Sequence, residues 1–91
     1  MSISSHVFTI INDKGLHARA SARFVEVVEN FESDVIVEKD GLEASGSSIM
    51  GLLMLAASKG TTIKVTSNGN DSEELTLALD NLIKCKFGED S

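Results

Sequence analysis

The chain has no proline and a single cysteine, Cys85, in 91 residues. One cysteine forms no intrachain disulfide. A thiolate zinc site is not expected either, because such sites draw on several thiolates or imidazoles. Cys85 reads instead as a packed or half-exposed thiol near the end of the last helix. Basic residues are scarce: 8 Lys and Arg stand against 14 Asp and Glu, for a net charge of −6. That argues against nucleic acid as a partner, because binding a phosphate backbone needs clustered Lys and Arg. It argues equally against an anionic membrane surface. Long apolar runs are missing too. The longest, Ile49 to Ala57, is far too short to span a bilayer, and Met1 to His6 hold no signal-peptide core. No repeat, low-complexity tract or linker divides the chain. What remains is one soluble, cytoplasmic domain over residues 1–91, expected to work without metal or cofactor and as a monomer.

With 42% hydrophobic and 24% charged residues, the composition is globular, and the length suffices for a modest core. Val7 to Ile11 alternates Phe8 and Ile10 against Val7, Thr9 and Ile11, which predicts a strand broken by Asn12-Asp13-Lys14-Gly15. From Ala18 to Asn30, Ala20, Phe24, Val27, Val28 and Phe31 recur at helical spacing. Asp34 to Lys39 predicts a strand, Asp40-Gly41 a type I′ hairpin turn, and Leu42 to Ser45 the return strand. Ser48 reads as the N-cap of a helix that Lys59-Gly60 closes. Thr62 to Ser67 alternates as a half-buried strand, and Asn68-Gly69 turns the chain. Asp71 and Glu74 are spaced as a capping box for a last helix carrying Leu75, Ala78, Leu79, Leu82 and Ile83 to about Lys86. The order is β-α-β-β-α-β-α, an α+β class with an antiparallel sheet and the helices on one face.

His17 is the informative residue. It follows a strand and a glycine turn and directly precedes a helix. A helix N-terminus offers unsatisfied N–H groups and a positive dipole end, and so favours an anion. A lone histidine in a turn is more often a solvated surface residue, but Ala18 and Arg19 beside that helix start favour a phosphoryl site. Imidazole is partly neutral and nucleophilic near neutral pH. A phosphoramidate on one ring nitrogen is labile, and the backbone N–H groups of Ala18 and Arg19 with the Arg19 guanidinium offset its charge. At an N-cap, Nδ1 is the nitrogen nearer those donors. His6, at a frayed strand start, reads as a bystander. Arg23 lies one turn beyond Arg19 and has a plain surface reading with Glu26 and Glu29. Ser48 is either a simple cap or a phosphorylation site, since phosphate is tolerated at a helix start. The run from Ile49 to Leu55 is too apolar for a short helix with one buried face. Met50 and Leu53 are expected outside as a docking surface, and Leu52 and Leu55 inside.

Gly15-Leu16-His17-Ala18-Arg19, followed about thirty residues later by Ser48-Ile49-Met50-Gly51 and then Lys59-Gly60, resembles the HPr family. These are the histidine-containing phosphocarriers of the phosphoenolpyruvate-dependent phosphotransferase system. The resemblance covers almost the whole chain. It implies an open-faced β-sandwich with three helices on one side of a four-stranded antiparallel sheet. It implies that His17 takes a phosphoryl group from enzyme I and passes it to an enzyme II A-type protein, with Arg19 assisting. Ser48 matches the serine modified by an HPr kinase/phosphorylase in some members. The helix after Ser48, with the first helix, matches the docking face: Ala20, Arg23, Ile49, Met50 and Leu53. Ala20 stands where many members carry proline, and Glu26 and Glu29 stand where carbohydrate-system members often carry lysine. The acidic character and Leu52-Leu53-Met54-Leu55 look like the nitrogen-related NPr branch, whereas Ser48-Ile49-Met50-Gly51 looks like the serine-regulated branch.

Two rival readings differ in class. A regulatory binding module of the same fold would act through the Met50/Leu53 face and never carry phosphate. A small hydrolytic or metal enzyme fares poorly, because His17 has no nucleophile–base partner or second ligand nearby in sequence.

Overall fold

The computed structural model describes residues 2–91. Strand β1 (Ser2–Thr9) leads through a loop to helix α1 (Ala18–Glu29), then to strands β2 (Asp34–Lys39) and β3 (Leu42–Ser45). Helix α2 (Ile49–Met54), strand β4 (Thr62–Gly69) and helix α3 (Ser72–Lys84) follow, and a 3-10 turn (Lys86–Gly88) brings in the tail. The four strands form one antiparallel sheet in the order β1-β4-β2-β3. The three helices cover one face, as the open-faced α+β sandwich requires.

Alternation decides which face is covered. In β4, Ile63, Val65 and Ser67 are buried while Thr62, Lys64 and Asn68 are exposed. Val35 and Val37 of β2, Ala44 of β3 and Phe8 of β1 join the same buried side. Onto it pack Ala20, Phe24, Val25 and Val28 from α1, Leu52 from α2, and Leu75, Leu79 and Ile83 from α3. Removing this apolar surface from water is the main force holding the layers together. At the β2–β3 hairpin, Asp40 (φ 52) and Gly41 (φ 83) both take the left-handed conformation that a type I′ turn demands.

Several boundaries differ from the sequence expectation. Strand β1 runs Ser2–Thr9 rather than from Val7 to Ile11, because eight residues pair with β4 from Ser2↔Gly69 to Thr9↔Thr62. Asn68-Gly69 therefore belongs to β4, not to a turn. Helix α2 stops at Met54, and Ala56 with φ 52 reverses the chain there. Lys59-Gly60 does not close it; the Gly60 N–H bonds the Ile10 carbonyl (2.8 Å) and guides the chain into β4. Asp71 is the N-cap of α3 but makes no side-chain cap bond. Its carboxylate instead accepts from the N–H groups of Glu32 and Ser33 (both 2.9 Å) and from the Ser33 hydroxyl. Those bonds tie the α1–β2 loop to the start of α3 and hold the Asp71 carboxyl below its ordinary range. Cys85 is exposed, not packed.

The candidate phosphoryl site

Gly15 sets the site. Its φ of 65 is left-handed, and a Cβ there would collide with the Ala57 carbonyl oxygen and lie 2.9 Å from Ser58 Cα. Glycine thus lets the β1–α1 loop lie against the α2–β4 loop, and the Leu16 N–H donates to that Ala57 carbonyl at 2.8 Å. His17 follows in extended conformation (φ −79, ψ −174) as the N-cap of α1. Its carbonyl accepts the first helical bond, from the Ser21 N–H at 2.8 Å, and the Ser21 hydroxyl donates to the Leu16 carbonyl at 3.2 Å. The backbone that carries the ring is therefore held on both sides of the helix start.

The imidazole is 26% exposed. Nδ1 faces the helix and accepts the Arg19 N–H at 3.3 Å. That puts this nitrogen where the backbone donors converge, as expected for an N-cap histidine. Arg19 is exposed. With Lys14 and Arg23 it lines a shallow groove whose other wall is the tail, Glu89 to Ser91. A second shallow depression joins His17 to Leu53, Ala57 and Ser58.

Two further residues complete the site. The Glu89 carboxylate engages His17 Nε2. Asn12, fully buried, donates from Nδ2 to the Gly15 carbonyl (2.8 Å) and to Glu89 Oε1 (3.0 Å). The opposite amide orientation would set Asn12 Oδ1 against two oxygens. The bond from Asn12 first, then that from His17, with the charge of Lys14 adding, holds the Glu89 carboxyl below its ordinary range. Phe87 explains how the tail arrives: it is fully buried, and left-handed φ values at Lys86 (58) and Phe87 (57) turn the chain back toward α1. Sequence reasoning missed both residues. Asn12 read only as a strand breaker, and Glu89 lies 72 positions from the histidine it touches.

The other expected residues divide. Ser48 is the N-cap of α2, and its hydroxyl accepts the Gly51 N–H at 3.0 Å. Ile49 and Met50 are exposed (Met50 70%), Leu53 is half-buried, and Leu52 and Leu55 are buried. Met54, at 76% exposure, extends the apolar surface and was not anticipated; its place one turn after Met50 is the available signal. Arg23 is exposed, with its guanidinium beside Gly88. Ala20 is fully buried, so it supports the helix from within and offers a partner no surface. His6 stacks on Phe8, with ring centroids 6.1 Å apart. Among the described residues, no helix is long and apolar enough to cross a membrane.

An α+β sandwich that sets an imidazole at a helix start beside an arginine is suited to holding an anion such as a phosphoryl group. The family model described as the PTS HPr component phosphorylation site matches residues 4–85. The phosphocarrier protein HPr of Neisseria meningitidis serogroup A is 50% identical over 80 residues, covering 88% of this chain and 90% of that protein. The HPr of Xylella fastidiosa strain Temecula1 is 41% identical over 86 residues, covering 94% and 97%. A crystal structure of HPr from Thermoanaerobacter tengcongensis superposes with a TM-score of 0.92 at 41% identity, covering 97% of this chain and 99% of that one. The chain belongs to the HPr family, and it has a phosphocarrier role in the phosphotransferase system. That role implies interaction with the enzymes of that system, and the relatives favour it over a regulatory module that never carries phosphate.

Proposed function

We propose that His17 accepts a phosphoryl group from enzyme I on Nδ1 and passes it to an enzyme II A-type protein. The supporting observation is the ring's position as the α1 N-cap, with Nδ1 beside the Arg19 N–H. The N–H groups of Ala18 and Arg19 and the helix dipole offset the phosphate charge, and the Arg19 side chain closes over it from the exposed side. Transfer between two imidazoles needs close, in-line approach, so the flat surface around His17 is part of the function. Arg23, Ile49, Met50 and Leu53, extended by Met54, are the docking residues. The protein acts as one cytoplasmic domain and a monomer, and it turns over nothing itself.

Ser48 is proposed as a second, regulatory modification site for an HPr kinase/phosphorylase. A phosphate there lies at the start of α2 and beside Met50 and Leu53, so it sets charge on the docking face. Incubation with enzyme I and phosphoenolpyruvate tests the carrier reading. One acid-labile phosphate is expected on the wild type, with phosphorus on Nδ1 by NMR, and none on His17→Ala. Equal labelling of both proteins, or labelling on Nε2, refutes it.

A further inference from the structure

We propose that Glu89, oriented by Asn12, is a positioning residue that keeps the His17 proton on Nε2 and so presents Nδ1 as the nucleophile. This rests on the carrier reading and adds to it how the ring is prepared. Two independent contacts agree on one tautomer. An ionised carboxylate only accepts, so the contact of Glu89 with Nε2 requires the proton on that nitrogen. On the other side of the ring, Nδ1 accepts the Arg19 N–H and therefore carries a lone pair. A carboxylate that fixes a histidine's tautomer and opposes its positive charge is a recurrent device in nucleophilic and metal sites.

The carboxylate is itself held in place. Its other oxygen takes the bond from Asn12, whose amide is buried and also bonded to the Gly15 carbonyl. The same asparagine thus joins the glycine turn that delivers His17 to the carboxylate that orients it. Phe87, buried two residues before Glu89, anchors the tail. Lys14 is the cation whose charge acts on Glu89, and it lines one groove with Arg19, Arg23 and the tail.

In the forward step, the Nδ1 lone pair forms the new N–P bond. The donor phosphohistidine's N–P bond breaks, and its electron pair returns to the donor ring. The proton stays on Nε2, and Glu89 opposes the charge that the His17 ring acquires. In the return step, the N–P bond breaks with its electron pair going back to Nδ1. Because Nε2 has kept its proton, His17 leaves as a neutral imidazole rather than an anion, a better leaving group. Glu89 thereby serves both directions of transfer without touching phosphorus.

The test compares wild type, Glu89→Ala and Glu89→Gln in two measurements. Nitrogen-15 NMR reads the tautomer of the neutral His17 ring. Single-turnover kinetics with phosphorylated enzyme I reads the transfer rate against enzyme I concentration. The wild type is expected almost wholly as the Nε2–H form and Glu89→Ala as a mixture of both. The Ala variant should lose about tenfold in the saturating rate, the scale of one charge-assisted hydrogen bond, with half-saturation unchanged. Glu89→Gln, whose amide oxygen still accepts from Nε2, should keep the tautomer and fall between the two in rate. A wild-type tautomer ratio in Glu89→Ala, or a wild-type rate in either variant, overturns the proposal. Should the wild type take no phosphate from enzyme I, the carrier reading fails, while the tautomer measurement still judges Glu89.

Discussion

Replacing Gly15 by alanine tests the contact that brings His17 into place, and Gly41 supplies the control. Both glycines are left-handed, with φ of 65 and 83. An L-residue in that region costs about 1–2 kcal/mol, and the stiffer unfolded chain returns about 0.4–1 kcal/mol. At Gly41 nothing lies within 4 Å of the new Cβ, so the net loss should be about 1 kcal/mol. At Gly15 the same methyl strikes the Ala57 carbonyl and Ser58 Cα, both of them backbone. The loop must retreat, which weakens the 2.8 Å bond from the Leu16 N–H. Losing that bond adds about 0.5–1.5 kcal/mol, and residual crowding brings the total to about 2–3 kcal/mol. Urea denaturation with a common m-value measures both variants. The retreat also displaces Leu16 and His17 from the α2–β4 loop, so Gly15→Ala should slow phosphoryl transfer while Gly41→Ala leaves it unchanged. Equal destabilisation by the two substitutions, or a normal transfer rate in Gly15→Ala, would refute this account of the site's placement.

Ser48→Asp should leave stability within about 0.5 kcal/mol, because aspartate caps a helix as well as serine does, yet it should slow transfer from enzyme I by placing charge beside Met50 and Leu53. Urea melts and transfer kinetics decide it, and a wild-type rate counts against a shared docking face. Leu52→Ala removes a fully buried side chain and should cost about 2–5 kcal/mol, whereas Met50→Ala, 70% exposed, should cost under about 0.5 kcal/mol and instead raise the half-saturating enzyme I concentration. Asp71→Asn should destabilise near neutral pH and converge with the wild type in acid. The folded carboxyl lies below its ordinary value, so its contribution is complete above the unfolded pKa and lost as pH falls through the folded one. Acid titration by circular dichroism checks this, and a constant gap between the two proteins down to the acid transition would contradict it.

Elements with a local cause were legible in the sequence. Strand β2, the Asp40-Gly41 turn and strand β3 follow from β-branched residues and turn chemistry within twelve residues, and the observed bounds coincide with the expected ones. Helix α1 was legible for the same reason, since its buried positions recur every three to four residues. The His17 cap was readable because helix start and histidine are neighbours in the chain. What failed had a distant cause. Asp71 and Glu74 have capping-box spacing, but the loop of Glu32 and Ser33 competes for the Asp71 carboxylate and takes it. Helix α2 was expected to run on because Leu55 to Ala57 is apolar. Packing of Leu55 and Ala57 in the core, with Ala56 turned left-handed between them, ends it early. Glu89 drew no reading from the sequence, and only the buried Phe87 and the turn around it reveal where the tail goes.

The site asks for a compromise at the head of α1. Serine, asparagine or aspartate would satisfy the first helical N–H groups better than an imidazole does, whose bond to the Arg19 N–H spans 3.3 Å. A tight cap, however, would leave nothing for an incoming phosphate. In the proposed transfer, the loose bond leaves those donors free to turn from nitrogen to phosphate oxygen. The order lost at the cap is made up around it. Ser21 bonds back to the Leu16 carbonyl, Gly15 docks on the α2–β4 loop, and Asn12 joins that turn to Glu89. These contacts hold the backbone and Nε2 while leaving Nδ1 weakly engaged. A carrier must both receive and release. If Nδ1 is the accepting atom, as proposed, that is served by rigidity in the frame and slack at this one nitrogen, because a nitrogen bound firmly in either state would hold its cargo or refuse it.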